Sequence, residues 1–303
     1  MNADPPRITV VTPSFNQGRF IEKTIDSVLS QAYPNLEYII IDGGSKDETV
    51  EIVKRYEKHL SYWVSEPDRG QSHAINKGME RSSGHLLTWL NSDDWYVPGA
   101  LWRFADLFRA NPDAGVVVGA GKIVDLKGRD LHYKTPNGNI TLGSMFCWAS
   151  GGNFMQPSSM FSRTAWNAAG PVDESIHIAM DLDLWLRMAR QGIHFVTTPE
   201  LLSIAQGHPK AKTTEFEELM LVDCAFVIWH HGGAPEARKA LEKMARNAAA
   251  LRRRCDWYLE NYGALVDHPV LKFLRPVLKR LSRDETGYWR DAIPPWVKGR
   301  KES

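Results

Sequence analysis

The amino-acid sequence predicts an α/β fold with a mostly parallel central sheet and flanking helices, followed by a helical C-terminal extension. Three observations lead to this prediction. The first two are that short apolar runs alternate with segments of helical periodicity up to residue 124, and that a polar loop follows most of these runs. The third is a change of charge, because residues 234–303 hold 16 basic and 9 acidic side chains while the whole chain carries a net charge of only +1. With 303 residues, 43% of them hydrophobic, the chain can form one large domain and an appendage.

The first elements form a strand, a loop and a helix. Residues 7–12 are a β-branched run typical of a central parallel strand, and apolar residues then return at helical spacing up to about residue 31. A second strand over 36–41 ends at Asp42 and a loop that contains Asp47. Asp47 suits either the cap of the following helix or a contact to a ligand. Asp42 has no comparable capping role.

The next elements repeat this order. Further strands are expected at 60–65, 85–90 and 115–124, with helices at 73–81 and 99–110. Right-handed crossovers between such units give a largely parallel sheet, and the loops after its strands meet at the carboxyl edge. A ligand site is therefore expected at that edge.

Two adjacent carboxylates, Asp93 and Asp94, follow the buried strand over 85–90. Such carboxylates repel each other unless a cation or a proton lies between them. Oxygen ligands of this kind suit Mg²⁺ or Mn²⁺, which commonly bridges to substrate phosphates. The alternative is a surface turn, since Asn, Ser and Asp are frequent turn residues.

Composition excludes several classes of protein. No run reaches the ~18 apolar residues of a membrane span, and the first residues lack the apolar core of a signal peptide, so a cytoplasmic location is expected. Cys147, Cys224 and Cys255 are too widely spaced to indicate a disulfide framework or a zinc site. The basic C-terminal helix is either a solvated face or a peripheral contact to the inner face of a membrane, and no nucleic-acid binding is expected.

Several loops together resemble the family 2 glycosyltransferases. The segments TPSFNQ (12–17), IDGGSKDET (41–49), SEPDRGQSHAINKG (65–78) and WLNSDD (89–94) follow that family's order and spacing, and residues 156–192 resemble its acceptor-side segment. The resemblance covers about residues 7–210 and implies a GT-A-type fold with a Rossmann-like nucleotide-binding half. It also implies an enzyme of the kind that acts in bacterial surface polysaccharide synthesis. No dinucleotide-binding glycine fingerprint follows the first strand, which argues against a dehydrogenase.

The resemblance also implies roles on the donor side. Asn91-Ser92-Asp93 is similar to the family's DxD element, with Asn91 in place of the first Asp, so the metal falls chiefly to Asp93. His73 stands where many relatives carry an Asp, and His208 where the family places a late contact to metal or diphosphate. Mn²⁺ or Mg²⁺ would be held by Asp93 and His208. The residues expected to bind the nucleotide or donor sugar are Thr12, Pro13, Ser14, Asp42, Asp47, Arg69, Gln71, Asn91, Ser92 and Asp94.

Inverting transfer also requires a base for the acceptor hydroxyl. Asp181 and Asp183 are two residues apart, so on a helix they point about 200° apart and only one can face a cleft. The resemblance assigns Asp181 as the catalytic base, with Met180 in place of the Glu that many relatives carry. Asp183 is expected to pair locally.

The expected function is that of a metal-dependent inverting glycosyltransferase. It would move a sugar from a UDP, GDP or dTDP sugar to a hydroxyl of a glycan or lipid-linked acceptor. An inactive nucleotide-sugar-binding or regulatory module is the first alternative, motivated by Asn91 and His73, and a sugar nucleotidyltransferase is the second. The expected domains are a catalytic domain over 1–212, with halves at about 7–124 and 125–212, and a helical basic extension over 213–303. A homo-oligomer is a further expectation.

Overall fold

The computed structural model describes residues 4–150, 153–208, 211–212 and 217–262. The strands are β1 (Ile8–Ser14), β2 (Leu36–Asp42), β3 (Tyr62–Ser65), β4 (Leu86–Trp89), β5 (Asp94–Tyr96), β6 (Ala114–Val124), β7 (Asp130–Lys134), β8 (Ser159–Ser162) and β9 (His194–Gln206). The α-helices are α1 (Gly18–Leu29), α2 (Thr49–Arg55), α3 (Gln71–Arg81), α4 (Ala100–Ala110), α5 (Leu142–Phe146), α6 (Arg163–Ala169), α7 (Met180–Arg190), α8 (Glu217–His230) and α9 (Ala234–Tyr262). Within these ranges, none of the helices combines the length and apolar character that a membrane span requires.

One nine-stranded sheet organises the molecule, in the order β3-β2-β1-β4-β8-β6-β9-β5, with β7 paired to β6. The four strands from β3 to β4 are parallel, as the sequence predicts. β8 then lies antiparallel between β4 and β6, so the predicted strand at 115–124 does not join β4 directly. The α/β fold is confirmed, and the parallel pairings are confined to the first four strands and to β6 with β9.

Helices cover the sheet and build the core. α1 contributes Ile21, Ile25 and Val28, all fully buried, to a cluster that also includes β1 and β2 residues. α3 approaches β1 so closely that a Cβ at Gly78 would lie 2.4 Å from a methyl carbon of Val11. Glycine is therefore required where this helix crosses the strand. The helix carrying Gln71 is in this way fixed against the strand carrying Ser14.

The strand register gathers polar residues at one edge. Ser14 pairs with Asp42, and Asp42 pairs with Ser65, at the carboxyl ends of three neighbouring strands. β5 pairs with β9 so that Asp94 lies opposite Ala205. This pairing brings residues after 206 back to the carboxyl end of β4.

Contacts separate the chain into compact units at 1–237 and 238–303, with α8 in the first unit, packed against α7. The predicted boundary between 212 and 213 stays a prediction. The basic residues after 262 lie outside the described residues, as do the side chains of most of the arginine and aromatic residues over 252–262.

Candidate active site

Asp93 and His208 meet at the carboxyl end of β4. The Asp93 Oδ2 atom lies 3.1 Å from the His208 Nε2 atom, although the residues are 115 positions apart in sequence. The turn after β4 presents Asp93, and the end of β9 presents His208. The imidazole ring stacks on Phe20 of α1 with 4.7 Å between ring centroids. Packing thus fixes the imidazole against the carboxylate.

The chemistry of this pair fits a divalent cation. Two neighbouring ligands of an octahedral ion with ~2.1 Å bonds lie about 3.0 Å apart, close to the observed separation. Among the residues that the structure describes, no group of three or more His, Cys, Asp or Glu side chains could hold an ion. Magnesium commonly keeps water and phosphate oxygens as its other ligands. Asp93 and His208 therefore suit an ion shared with a phosphate-bearing ligand.

Asp94 lies behind this pair, buried at the start of β5. Burial, followed by the negative charge of Asp93, raises the pKa of Asp94 well above its usual range. Its Oδ2 atom accepts a hydrogen bond from Asn91 Nδ2 at 3.2 Å, and Asn91 Oδ1 accepts one from Gln71 Nε2 at 2.7 Å. An Asp at position 91 would add a third carboxylate, whereas the amide bridges Gln71 to Asp94. Ser92, which follows Asn91 in the same turn, is also buried.

Asp181 lies in the first turn of α7. Its Oδ1 atom accepts a hydrogen bond from the Leu182 N–H at 2.7 Å. Burial of the carboxyl group raises the pKa of Asp181 to about 6, while backbone hydrogen bonds and the positive charge of Lys212 oppose the rise. A carboxyl group with such a pKa is ionised at neutral pH and accepts a proton readily.

Lys212 connects the two halves of the site. Its Nζ atom donates to Gln71 Oε1 at 3.1 Å and to the His177 carbonyl oxygen at 2.7 Å. Gln71 begins α3 on the donor side, and His177 precedes α7. A chain of hydrogen bonds therefore runs from the neighbourhood of Asp181 to Asp94.

Asp183 points away from Asp181, as the helical spacing predicts. It is buried, accepts a hydrogen bond from Arg187 Nε at 2.8 Å and contacts His231 Nε2 at 2.9 Å. These contacts fasten α7 to the residues that follow α8. The assignment of Asp181 as the base stays a prediction.

The residues expected around the nucleotide are bonded largely to their own chain. Asp42 is 1% exposed and accepts hydrogen bonds from Gly44 N at 3.1 Å, from Ser45 N at 2.9 Å and Oγ at 2.5 Å, and from Ser65 Oγ at 2.6 Å. Thr12 Oγ1 bonds to the Tyr38 hydroxyl at 3.1 Å. Pro13 lies inside β1 opposite Ile41. The predicted nucleotide contacts of these residues stay predictions.

Ser14 and the two remaining donor-side residues differ in their surroundings. The buried Ser14 Oγ has no hydrogen-bond partner among the described residues. Asp47 accepts from Gly18 N at 3.0 Å and from Thr49 N at 3.1 Å, at the starts of α1 and α2. Arg69 forms an ion pair with Glu174, with 2.7 Å between Nη2 and Oε2. The contact of Asp47 with Thr49 matches the predicted cap of the following helix, whereas Gly18 and Glu174 are distant along the chain and the sequence does not indicate them.

The α/β fold, with the Asp93–His208 pair at the carboxyl edge of its parallel strands, is typical of an enzyme that binds a ligand at that edge. The family model described as glycosyl transferase family 2 matches residues 9–170, and the chain belongs to this family. The resemblance seen in the sequence is thereby confirmed.

Two relatives share less than a third of their aligned residues with this chain. An uncharacterized glycosyltransferase of Rickettsia typhi is 28% identical over 198 residues, which cover 62% of this chain and 60% of that protein. Chondroitin synthase of Escherichia coli is 27% identical over 193 residues, covering 62% of this chain and 27% of the synthase. The matched segment thus spans about 60% or less of these relatives.

Solved structures share the fold. TarS of S. aureus, residues 1–349, superimposes with a TM-score of 0.60 at 16% identity, covering 97% of this chain and 92% of that chain. The mannosyltransferase PcManGT of Pyrobaculum calidifontis, solved with GDP-Man and Mn²⁺, gives a TM-score of 0.55 at 20% identity, with coverages of 91% and 85%. The predicted GT-A-type fold is confirmed by these likenesses.

Proposed function

We propose that this protein transfers a sugar from a nucleoside diphosphate sugar to a hydroxyl group of a glycan or lipid-linked acceptor, with inversion at the anomeric carbon. One observation carries the proposal. A carboxylate–imidazole pair suited to a metal, Asp93 with His208, stands next to Asp94. Hydrogen bonds lead from Asp94 through Asn91 and Gln71 to Lys212, whose charge acts on Asp181. The site thus holds groups for a leaving diphosphate and for an attacking hydroxyl.

The donor side of the proposal rests on Asp93 and His208. These residues would hold Mn²⁺ or Mg²⁺, which when bound neutralises the negative charge that develops on the leaving diphosphate. The PcManGT structure with GDP-Man and Mn²⁺ and the TarS structure with UDP-GlcNAc support a nucleotide-sugar donor. Asp94 and Asn91 hold the turn that presents Asp93.

The acceptor side rests on Asp181. Its carboxylate takes the proton of the acceptor hydroxyl as the oxygen bonds to the anomeric carbon and the bond to the diphosphate breaks. Attack from the face opposite the leaving group inverts the configuration. Because the pKa of Asp181 is about 6, activity should fall as the pH drops below that value.

Two observations bear on the nature of the acceptor. The similarity to a chondroitin synthase favours a polysaccharide acceptor. The excess of basic residues over 234–303 favours an acceptor at an anionic surface, such as a lipid-linked glycan at the inner face of a membrane. An inactive module, which Asn91 motivates, is disfavoured because Asp93 and Asp181 are both in place.

A binding experiment tests the donor side. Thermal unfolding would be measured with UDP, GDP and dTDP, each with Mn²⁺, with Mg²⁺ and with a chelator. A ligand that binds only the folded state stabilises it by about 2.7 kcal/mol at a hundredfold excess over its Kd. We expect one nucleotide to raise Tm, and only when metal is present.

Asp93→Ala should abolish that rise. Asp113→Ala is the matched control, because Asp113 also pairs with an imidazole, at 2.9 Å from His194 Nδ1, but on the exposed surface. A rise that persists in chelator or in Asp93→Ala would refute the metal site. No rise with any nucleotide would favour the inactive module.

A further inference from the structure

A cluster of ionisable groups surrounds the proposed base. It consists of Asp181, His177, Lys212, Asp223 and Cys224, drawn from α7, the loop before it, the segment after β9, and α8. Burial, and then the charge of Lys212, lowers the pKa of His177. Burial raises the pKa of Cys224 to about 12. The imidazole and the thiol are therefore neutral at pH 7, and Lys212 is the cation that this cluster contributes.

Among the described residues, Lys212 donates its hydrogen bonds to neutral groups. The acceptors are the Gln71 amide oxygen and the His177 carbonyl oxygen. Its charge acts on Asp181 and Asp223 through space, and burial lowers the pKa of Lys212 while these two carboxylates oppose that effect. A lysine in this setting stabilises a nearby negative charge without occupying the carboxylate oxygens.

The same ammonium group fixes the direction of two amides. An ammonium can only donate hydrogen bonds, so Gln71 must turn its Oε1 atom toward Lys212. The Gln71 Nε2 atom then donates to Asn91 Oδ1, which leaves Asn91 Nδ2 to donate to Asp94. Lys212 thus orients the side chains that support the turn presenting Asp93.

The position of Lys212 depends on α8 through Asp223. The Asp223 Oδ2 atom accepts a hydrogen bond from the Ile178 N–H at 3.0 Å. Ala179, the residue directly before α7, has no side chain that could cap this helix. A carboxylate from α8 therefore holds the backbone in front of the first turn of α7. That backbone includes the His177 carbonyl that binds Lys212.

We propose that Lys212 is a positioning residue for the base: bound to the His177 carbonyl oxygen in front of α7, it presents its positive charge to Asp181 and, through Gln71, orients the amides that lead to the metal-binding turn. This inference rests on the proposed function. It assigns Lys212 a role toward the acceptor-side base and not only toward the donor.

The test compares Lys212→Met with Lys212→Arg. The titration of Asp181 would be followed by NMR of ¹³C-labelled aspartate carboxyl groups, with the resonance assigned by its loss in Asp181→Asn. Losing the cation disfavours the carboxylate, so the midpoint in Lys212→Met should move to higher pH by roughly half a pH unit. The acidic limb of kcat/KM should move with it, a loss of about threefold below the midpoint. Lys212→Arg should restore the wild-type midpoint.

Further variants separate the effect of the Lys212 charge from that of the amide chain. Lys54→Met removes an exposed lysine of α2 and should leave the midpoint unchanged. Gln71→Leu breaks the amide chain but keeps the cation, so it should raise KM for the donor without moving the midpoint. Lys212→Gln is a second neutral variant, should Lys212→Met fail to fold.

An unchanged Asp181 midpoint in the neutral variants would overturn the inference. The NMR titration needs no turnover. A midpoint that moves as expected in a protein that transfers no sugar would therefore support the role of Lys212 and refute the proposed function. Transfer with an unmoved midpoint would do the reverse.

Discussion

Two pairs of carboxylates at the same edge of the sheet are used in different ways. Asp42 and Asp47 accept four and three hydrogen bonds, respectively, from donors of their own chain. Asp93 contacts His208, and Asp181 accepts a hydrogen bond from the Leu182 N–H. The first pair holds loops and helix ends together. In the proposed function, the second pair keeps oxygen atoms for a metal ion or a proton.

The difference shows that position alone does not make a carboxylate functional. All four residues follow strands or begin helices around one edge, and all belong to segments that resemble one family. What separates them is the supply of nearby N–H and O–H donors, from Ser45 and Ser65 at Asp42 and from Thr49 at Asp47. A carboxylate with few donors is the better metal ligand or base.

Replacing Asp181 should have the largest effect. Asp181→Asn keeps the shape of the side chain but cannot take a proton, so we expect kcat to fall about a thousandfold, within the usual contribution of a general base. Nucleotide binding, measured by thermal shift, should persist. Unchanged turnover would refute the assignment of Asp181 as the base.

Asp181→Asn also distinguishes the two pairs of carboxylates by its effect on stability. The folded-state pKa of Asp181, about 6, lies above that of an unfolded aspartate, so ionised Asp181 costs stability, and the cost grows as pH rises toward 6 and persists above it. Asp181→Asn should therefore not lower Tm at pH 8. A clear decrease in Tm would mean that the Asp181 carboxylate holds the fold together, as Asp42 does.

Replacing Asp42 should have the largest effect on stability. Asp42→Ala leaves two backbone N–H groups and two serine hydroxyls without their acceptor in a buried loop, at a cost of about 3 kcal/mol in the free energy of unfolding. Urea unfolding would measure it. Asp42→Asn is the matched control, because its Oδ1 atom can still accept both N–H bonds. If Asp42→Asn keeps the stability but loses the nucleotide-induced rise in Tm, Asp42 also contacts the nucleotide.

Much of the parallel half was predictable because its strands are continuous apolar runs. β1, β2 and β4 each combine buried, often β-branched residues with a polar loop at the carboxyl end. β8 has only four residues, SMFS, and no local signal distinguishes an antiparallel neighbour of β4 from a loop. β5 is shorter still, and it is a strand because β9 pairs with it. Non-local pairing was the part that sequence could not supply.

The site shows the same limit. Asp93, His208 and Asp181 are chemically distinctive residues in segments that resemble a family, so they can be chosen from sequence. The bond from Lys212 to Gln71 joins residues 141 positions apart, and its role depends on burial beside Asp181. One donor at Asp42, the Ser65 hydroxyl, comes from the next strand through the β2–β3 register. Such contacts are products of the fold and leave no pattern in the spacing.

Asp47 should give the smallest effect. Asp47→Ala removes the acceptor at the starts of α1 and α2, which should lower the free energy of unfolding by about 1 kcal/mol, as for other helix caps. Although desolvation acts to raise it, hydrogen bonds from Thr49 and Gly18 lower the pKa of Asp47, so its stabilisation is present above the pKa of an unfolded aspartate and is lost as pH falls through the folded value. The difference in Tm between wild type and Asp47→Ala should therefore shrink at acidic pH. The Tm of Asp47→Asn, which retains one acceptor oxygen, should lie between those of wild type and Asp47→Ala. A loss of nucleotide binding in a stable Asp47→Asn protein would mean that Asp47 also contacts the nucleotide.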